Sequence, residues 1–187
     1  MDRYLFWVDR LSTWTGKAFA WLVVVLSVFV TYDVFTRKFF DNPSQWAYDG
    51  SYILYGTIFM MAGAYTLSRN AHVRGDIFYT QWPVRVQAAV DLALYVLFFF
   101  PGIIFLVWGG IDFAESAWRI QERSVTTSGG PPVYHFKTVL PVAAAFLLLQ
   151  GVVETIRAAR ALRSGEWPLR VSDVEETETK LARQEQV

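Results

Sequence analysis

Residues 53–79 read ILYGTIFMMAGAYTLSRNAHVRGDIFY. The uncharged run from Ile53 to Leu67 ends at once in Arg69, His72, Arg74 and Asp76. Such a run crosses a bilayer or fills a soluble core. In a bilayer, the charges at its mouth are solvated, anchored at headgroups or paired. The rest of the chain decides between the two.

Apolar residues make up 53% of the chain and charged residues 18%, below the roughly 25% of an ordinary soluble domain. They gather in four blocks, about 18–35, 47–67, 86–108 and 138–156. Each is close to the ~20 residues that a membrane helix needs. Pro101 and Pro141 fall within or beside these blocks, and membrane helices tolerate proline because neighbouring groups re-satisfy the freed carbonyls. The expected fold is therefore an all-α membrane protein with four transmembrane helices. The first block is longer than a signal-peptide core and is followed by Asp33, Arg37 and Lys38, so it reads as a retained span.

Basic residues set the orientation. Twelve lie at the termini and in the second connection, against five in the first and third connections. The positive-inside rule then places both termini in the cytoplasm. Net charge is zero and no basic stripe exceeds what topology requires, so nucleic acid is not an expected partner. The chain has no cysteine, which removes disulfides, thiolate metal sites and thiol nucleophiles.

Three pieces lie outside the spans. In residues 1–17, Tyr4, Trp7, Val8, Leu11 and Trp14 recur at helical spacing, while Arg3, Asp9, Arg10, Thr13 and Lys17 fall mainly elsewhere. This reads as an interfacial amphipathic helix with Trp at headgroup depth, or as an extension of the first span. Residues 109–137 form a long loop that is helical in pattern up to Arg123, with Glu115 and Arg119 at i,i+4, and is then broken by SVTTSGGPP. Residues 158–187 read as a polar cytoplasmic tail ending in DVEETETKLARQEQV.

Little here can carry chemistry. His72 and His135 fall on opposite predicted sides, so a pair of axial haem ligands is not expected. No Ser-His-Asp pattern, metal-ligand spacing or phosphate loop appears, and Ser124, Ser128 and Gly129-Gly130 read as a turn. Neither an enzyme nor a cofactor is expected. Asp33, Asp49, Asp91 and Glu154 all sit at span ends, which fits anchoring and inter-helix pairing better than an ion path. Asp33 has Arg37 at i+4 as a ready partner. The Arg69, His72, Arg74, Asp76 cluster reads either as headgroup anchoring or as a specific contact to a partner or lipid phosphate.

Several of these residues carry a resemblance. Arg37 after the first span, Trp46 with Asp49, Gly63-Ala64-Tyr65, Arg69 and His72-Val73-Arg74-x-Asp76 are similar to the small membrane subunit of tripartite ATP-independent periplasmic (TRAP) transporters. Glu122-x-Ser124, Pro131-Pro132, Lys137, Pro141 and Gln150-Gly151 extend the likeness, which covers about residues 20–157. Two positions depart from it: Asp49 stands where the family more often has Glu, and Gly75 where an apolar residue is usual.

The resemblance implies a bacterial inner-membrane location and two protein partners beside membrane lipids. One is a large polytopic subunit that carries the substrate and sodium sites. The other is a periplasmic binding protein that delivers an organic acid. The small subunit acts as scaffold, and Arg37, Trp46, Asp49, Arg69, His72, Arg74 and Asp76 become its candidate structural or interface residues. Two other readings stay open: a cofactor-free anchor of another membrane complex, and a small stand-alone channel or exporter. The lack of polar groups at depth speaks against the second.

Overall fold

The computed structural model of this protein describes residues 2–42, 44–71, 76–126 and 129–170. The described residues are helical apart from short connections. α1 is Asp2–Ala20, α2 Leu22–Phe40, α3 Gln45–Ser68, α4 Asp76–Tyr79, α5 Val84–Leu94, α6 Phe100–Arg119 and α7 Tyr134–Ser164. A π turn, Tyr95–Phe99, joins α5 to α6 without a break. The one β feature among the described residues is an isolated bridge between Arg123 and Pro132.

Three helices are long and apolar enough to cross a membrane: 3–40, 84–119 and 134–164. The second expected span, α3, has 24 residues, about 36 Å at the usual rise. It carries Tyr48, Tyr52, Tyr55, Tyr65, Gly50, Gly56 and Gly63, which dilute its apolar character.

Contacts fix the directions. Tyr52 meets Phe136 and Gly63 faces Leu147, so α3 and α7 run the same way. Phe29 meets Trp46, while Asp33 meets Ser44, so α2 runs against α3. Phe99 faces Gly151 and Trp118 bonds Thr138, so the rod of α5, π turn and α6 runs against α7. The bundle thus has two ends. Both described termini lie at one, and the 120–133 connection lies at the other.

The segment around residues 109–110 is where the sequence predicts a span to end. The helix continues to Arg119, as the helical pattern of residues 109–123 implies, and Gly110 is a contact point within it. A Cβ at Gly110 would stand 3.3 Å from the nitrogen of Pro141. Small residues let two backbones approach closely where no water drives association. The buried row of α7, including Ala143, Ala144, Gln150, Gly151, Val153, Glu154, Arg157, Ala158 and Ala161, follows the 3.6-residue period of one face.

α1 runs to Ala20 and α2 resumes after Trp21, in keeping with the reading of this segment as an extension of the first span. Its buried face is not the face of its aromatic residues. Leu5, Val8, Asp9, Ser12, Thr13 and Thr15 are buried, while Tyr4, Trp7 and Trp14 are exposed. Leu5 and Val8 pack on Val153 and Ile156 of α7, and Gly16 lies against Tyr65 of α3.

Candidate functional site

The expected site residues divide between the two ends of α3. At the hairpin end, Arg37 donates to Asp33 Oδ2 at 2.6 Å, and Asp33 Oδ1 accepts from the backbone N–H of Ser44 at 3.1 Å. The carboxylate thereby ties the end of α2 to the start of α3. Trp46 packs edge-on to Phe29 at 5.1 Å and stacks on Tyr32 at 5.9 Å. Asp49 is buried and accepts from Ser124 Oγ at 2.7 Å.

Ser124 is more than a turn residue. The connection folds back as a narrow hairpin: Ser124 N–H donates to Pro131 O and Val133 N–H to Glu122 O, each at 3.0 Å. Glu122 then accepts twice from Lys137 Nζ, at 2.7 and 2.6 Å. That ammonium also lies 4.0 Å from the centre of the Phe113 ring. Three elements, α3, α6 and α7, are clasped through one loop. Replacing Ser124 with Ala removes a hydrogen bond to a buried carboxylate and is expected to cost about 1.5 kcal/mol. Thermal unfolding of the purified protein checks this, and an unchanged midpoint would show that the loop is not fastened there.

At the other end, Arg69 caps α3 and its guanidinium lies 5.5 Å from the Tyr65 ring centre. His72 and Arg74 lie outside the described residues, as does the side chain of Asp76, whose backbone opens α4. The acid Asp91 accepts from Tyr79 OH at 2.8 Å and so holds α4 against α5.

The densest polar group at this end gathers Glu154, one of the acids expected to pair between helices, with Asp9 and Arg157, for which the sequence alone predicts no partner. Asp9 of α1 and Arg157 of α7 are each 1% exposed. The Arg157 fork grips both carboxylate oxygens of Asp9, with Nη1 to Oδ1 at 3.1 Å and Nη2 to Oδ2. Nη1 also donates to Glu154 Oε1 at 2.6 Å. Glu154 Oε2 meets Arg170 at 2.9 Å, where the chain folds back after Gly165. Gln150 Nε2 donates to Asp9 at 2.9 Å and to Glu154 at 3.2 Å, while its Oε1 accepts from Ser12 Oγ at 2.8 Å. Two acids and two guanidinium groups balance in charge, as burial requires. Trp167 Nε1 donates to Gln87 Oε1 at 3.2 Å, bringing the same returning segment onto α5.

One signal could have found this cluster. Gln150, Glu154 and Arg157 stand at i, i+4 and i+7, a polar row on one face of the helix where its uncharged stretch ends. Asp9 and Ser12 supply the matching row at i and i+3 on α1.

Between the two ends the helices are bare of charge. Residues 22–32, 50–68, 92–111 and 138–153 contain no Asp, Glu, Lys, Arg or His. Among the described residues, no three His, Asp or Glu side chains group to hold a metal ion. The arrangement can fasten helices at two borders, and nothing in it supplies a nucleophile or an acid–base pair at depth. A search among curated proteins finds no match. The family described as "Tripartite ATP-independent periplasmic transporters, DctQ component" matches residues 26–161, which include α3, the hairpin and the α7 part of the ionic cluster. The chain therefore belongs to the DctQ family, the small membrane subunit of TRAP transporters.

Proposed function

We infer that this subunit is a static scaffold: four spans hold the fixed part of a large polytopic transport subunit in the bacterial inner membrane. In this reading α3 is the fourth span, since its length exceeds the ~30 Å hydrocarbon core. The end that holds α1 and the α7 terminus faces the cytoplasm, as the basic residues favour. The hairpin end then faces the periplasm, where a binding protein delivers an organic acid. Uptake is driven by sodium through sites in the large subunit.

The observation that carries this reading is the placement of polar groups. The fastened charges gather at the two ends of the bundle, and residues 22–32, 50–68, 92–111 and 138–153 between them carry none. A chain that moved ions or acids itself would need polar groups or broken helices near mid-membrane. A scaffold needs the reverse: stiff spans pinned at both borders. Arg37, Trp46 and Asp49 serve it by fastening α2, α3 and the hairpin. Arg69, His72, Arg74 and Asp76 form the cytoplasmic contact to lipid or to the large subunit.

The test is a mild-detergent pull-down from native membranes with mass spectrometry. The expected result is recovery of a large polytopic membrane subunit, with a periplasmic binding protein in part of the preparation. Recovery of the chain alone, or with a redox enzyme, would overturn the scaffold reading.

A further inference from the structure

α1 carries a pattern that neither the bundle nor the family match accounts for. Arg3, Arg10 and Lys17 are spaced by seven residues, and so are Trp7, Trp14 and Trp21. The two series interleave at i, i+4, i+7, i+11, i+14 and i+18, which is one stripe of a helix. All six residues are exposed, with Trp7 at 62%, Trp14 at 70% and Trp21 at 74%. Asp9, the one acid between residues 3 and 20, is turned to the opposite face and buried against Arg157. Among the described residues, none of the three cations is paired within the chain. Residues 3–21 precede the part of the chain that matches the family.

The same stripe continues into α2 as Val24, Val28, Thr31 and Phe35, an uncharged run that ends at Lys38 near the hairpin. Val24, Val28 and Phe35 are exposed there as well. One helix face thus passes from apolar, through an indole at Trp21, to alternating indole and cation. That is the polarity profile of a bilayer read from hydrocarbon to headgroup.

We propose that the Arg3, Trp7, Arg10, Trp14, Lys17, Trp21 stripe is a binding surface for anionic phospholipid headgroups. The Asp9–Arg157 fork sets its rotation. The indoles sit at headgroup depth and the cations meet lipid phosphates on a negatively charged leaflet. A protein partner on this surface would have to supply acids in heptad register, whereas a lipid leaflet supplies anions at every position. The ionic cluster fixes which way α1 faces: with Asp9 held inward by both oxygens, residues 3, 7, 10, 14 and 17 face outward together.

The test uses the full chain in mixed micelles with equimolar phosphatidylglycerol and phosphatidylcholine, and native mass spectrometry to count each retained lipid. Near an anionic surface each cation is worth about fivefold in affinity. The single variant R10Q is expected to lower the phosphatidylglycerol preference about fivefold. The triple variant R3Q/R10Q/K17Q should remove most of it, and added salt should weaken what remains. The control K38Q/R119Q removes two cations at the hairpin end and should leave the preference in place. Trp7→Ala with Trp14→Ala should lower retention of both lipids with their ratio unchanged. These side chains are exposed, so thermal midpoints should hold. The proposal is overturned if the triple variant keeps the wild-type ratio, or if the control loses as much.

Discussion

Replacing Arg157 with Met is expected to destabilise the protein by about 3–5 kcal/mol, because it leaves a buried carboxylate without its cation. The orphan is Asp9. Glu154 keeps Arg170 at 2.9 Å, whereas Asp9 loses both arms of the fork and retains Gln150. The loss should appear first as release of α1. Trypsin should then cut at Arg10 and Lys17 under conditions that leave the parent intact, and the unfolding midpoint should fall. A second variant separates the ion pair from the space it fills. Combining Arg157→Met with Asp9→Leu removes the orphaned acid, leaves Glu154 to Arg170, and should recover much of the loss. If Arg157→Met alone matched the parent in both assays, the cluster would not be what holds α1.

The second large effect is expected at Gly151. A side chain there would run into the ring of Phe99 from the π turn, whose Cζ would lie 2.7 Å from a new Cβ. Gly151→Leu should therefore cost about 3 kcal/mol by overpacking. Gly102 and Gly109 are the internal controls, since a Cβ at either meets nothing within 4 Å. Alanine at those two positions should be tolerated or stabilising by up to ~1 kcal/mol, from helix propensity. Combining Gly151→Leu with Phe99→Ala should restore part of the loss if the clash is the cause. An undiminished midpoint for Gly151→Leu would mean that the two helices do not meet there.

The apolar blocks and their order were legible because length and freedom from charge are one-dimensional properties. The acids at span ends were legible too: Asp33 with Arg37 is the i,i+4 pair that spacing predicts. The rotation of α1 was not. Apolar periodicity groups Trp7 and Trp14 with Val8 on one interfacial face, yet Val8 is buried with Asp9 while both indoles are exposed. In water that pattern would be upside down. It becomes sensible when the solvent on one side is a headgroup layer that suits indoles and the interior offers Arg157. Asp9 could not be paired with Arg157 from spacing, as 148 positions separate them. Ser124 was hidden for a similar reason: its partner Asp49 lies 75 residues back. The resemblance named positions 49 and 124 together without saying that they touch.

The π turn at Tyr95–Phe99 acts as a phase shifter in the rod from Val84 to Arg119. An α-helix advances about 100° per residue, so deleting one residue from this turn would rotate everything beyond it by about that angle. Val84 to Leu94 would keep their face toward α7, but Gly110 would swing away from Pro141, and Trp118 away from Thr138. The two ends of the rod each match their neighbours only because their angular offset is absorbed here, about a third of the way along it. The packing of α6 beside the hairpin clasp and the packing of α5 on the far part of α7 are thus set in phase by a single wide turn of helix between them.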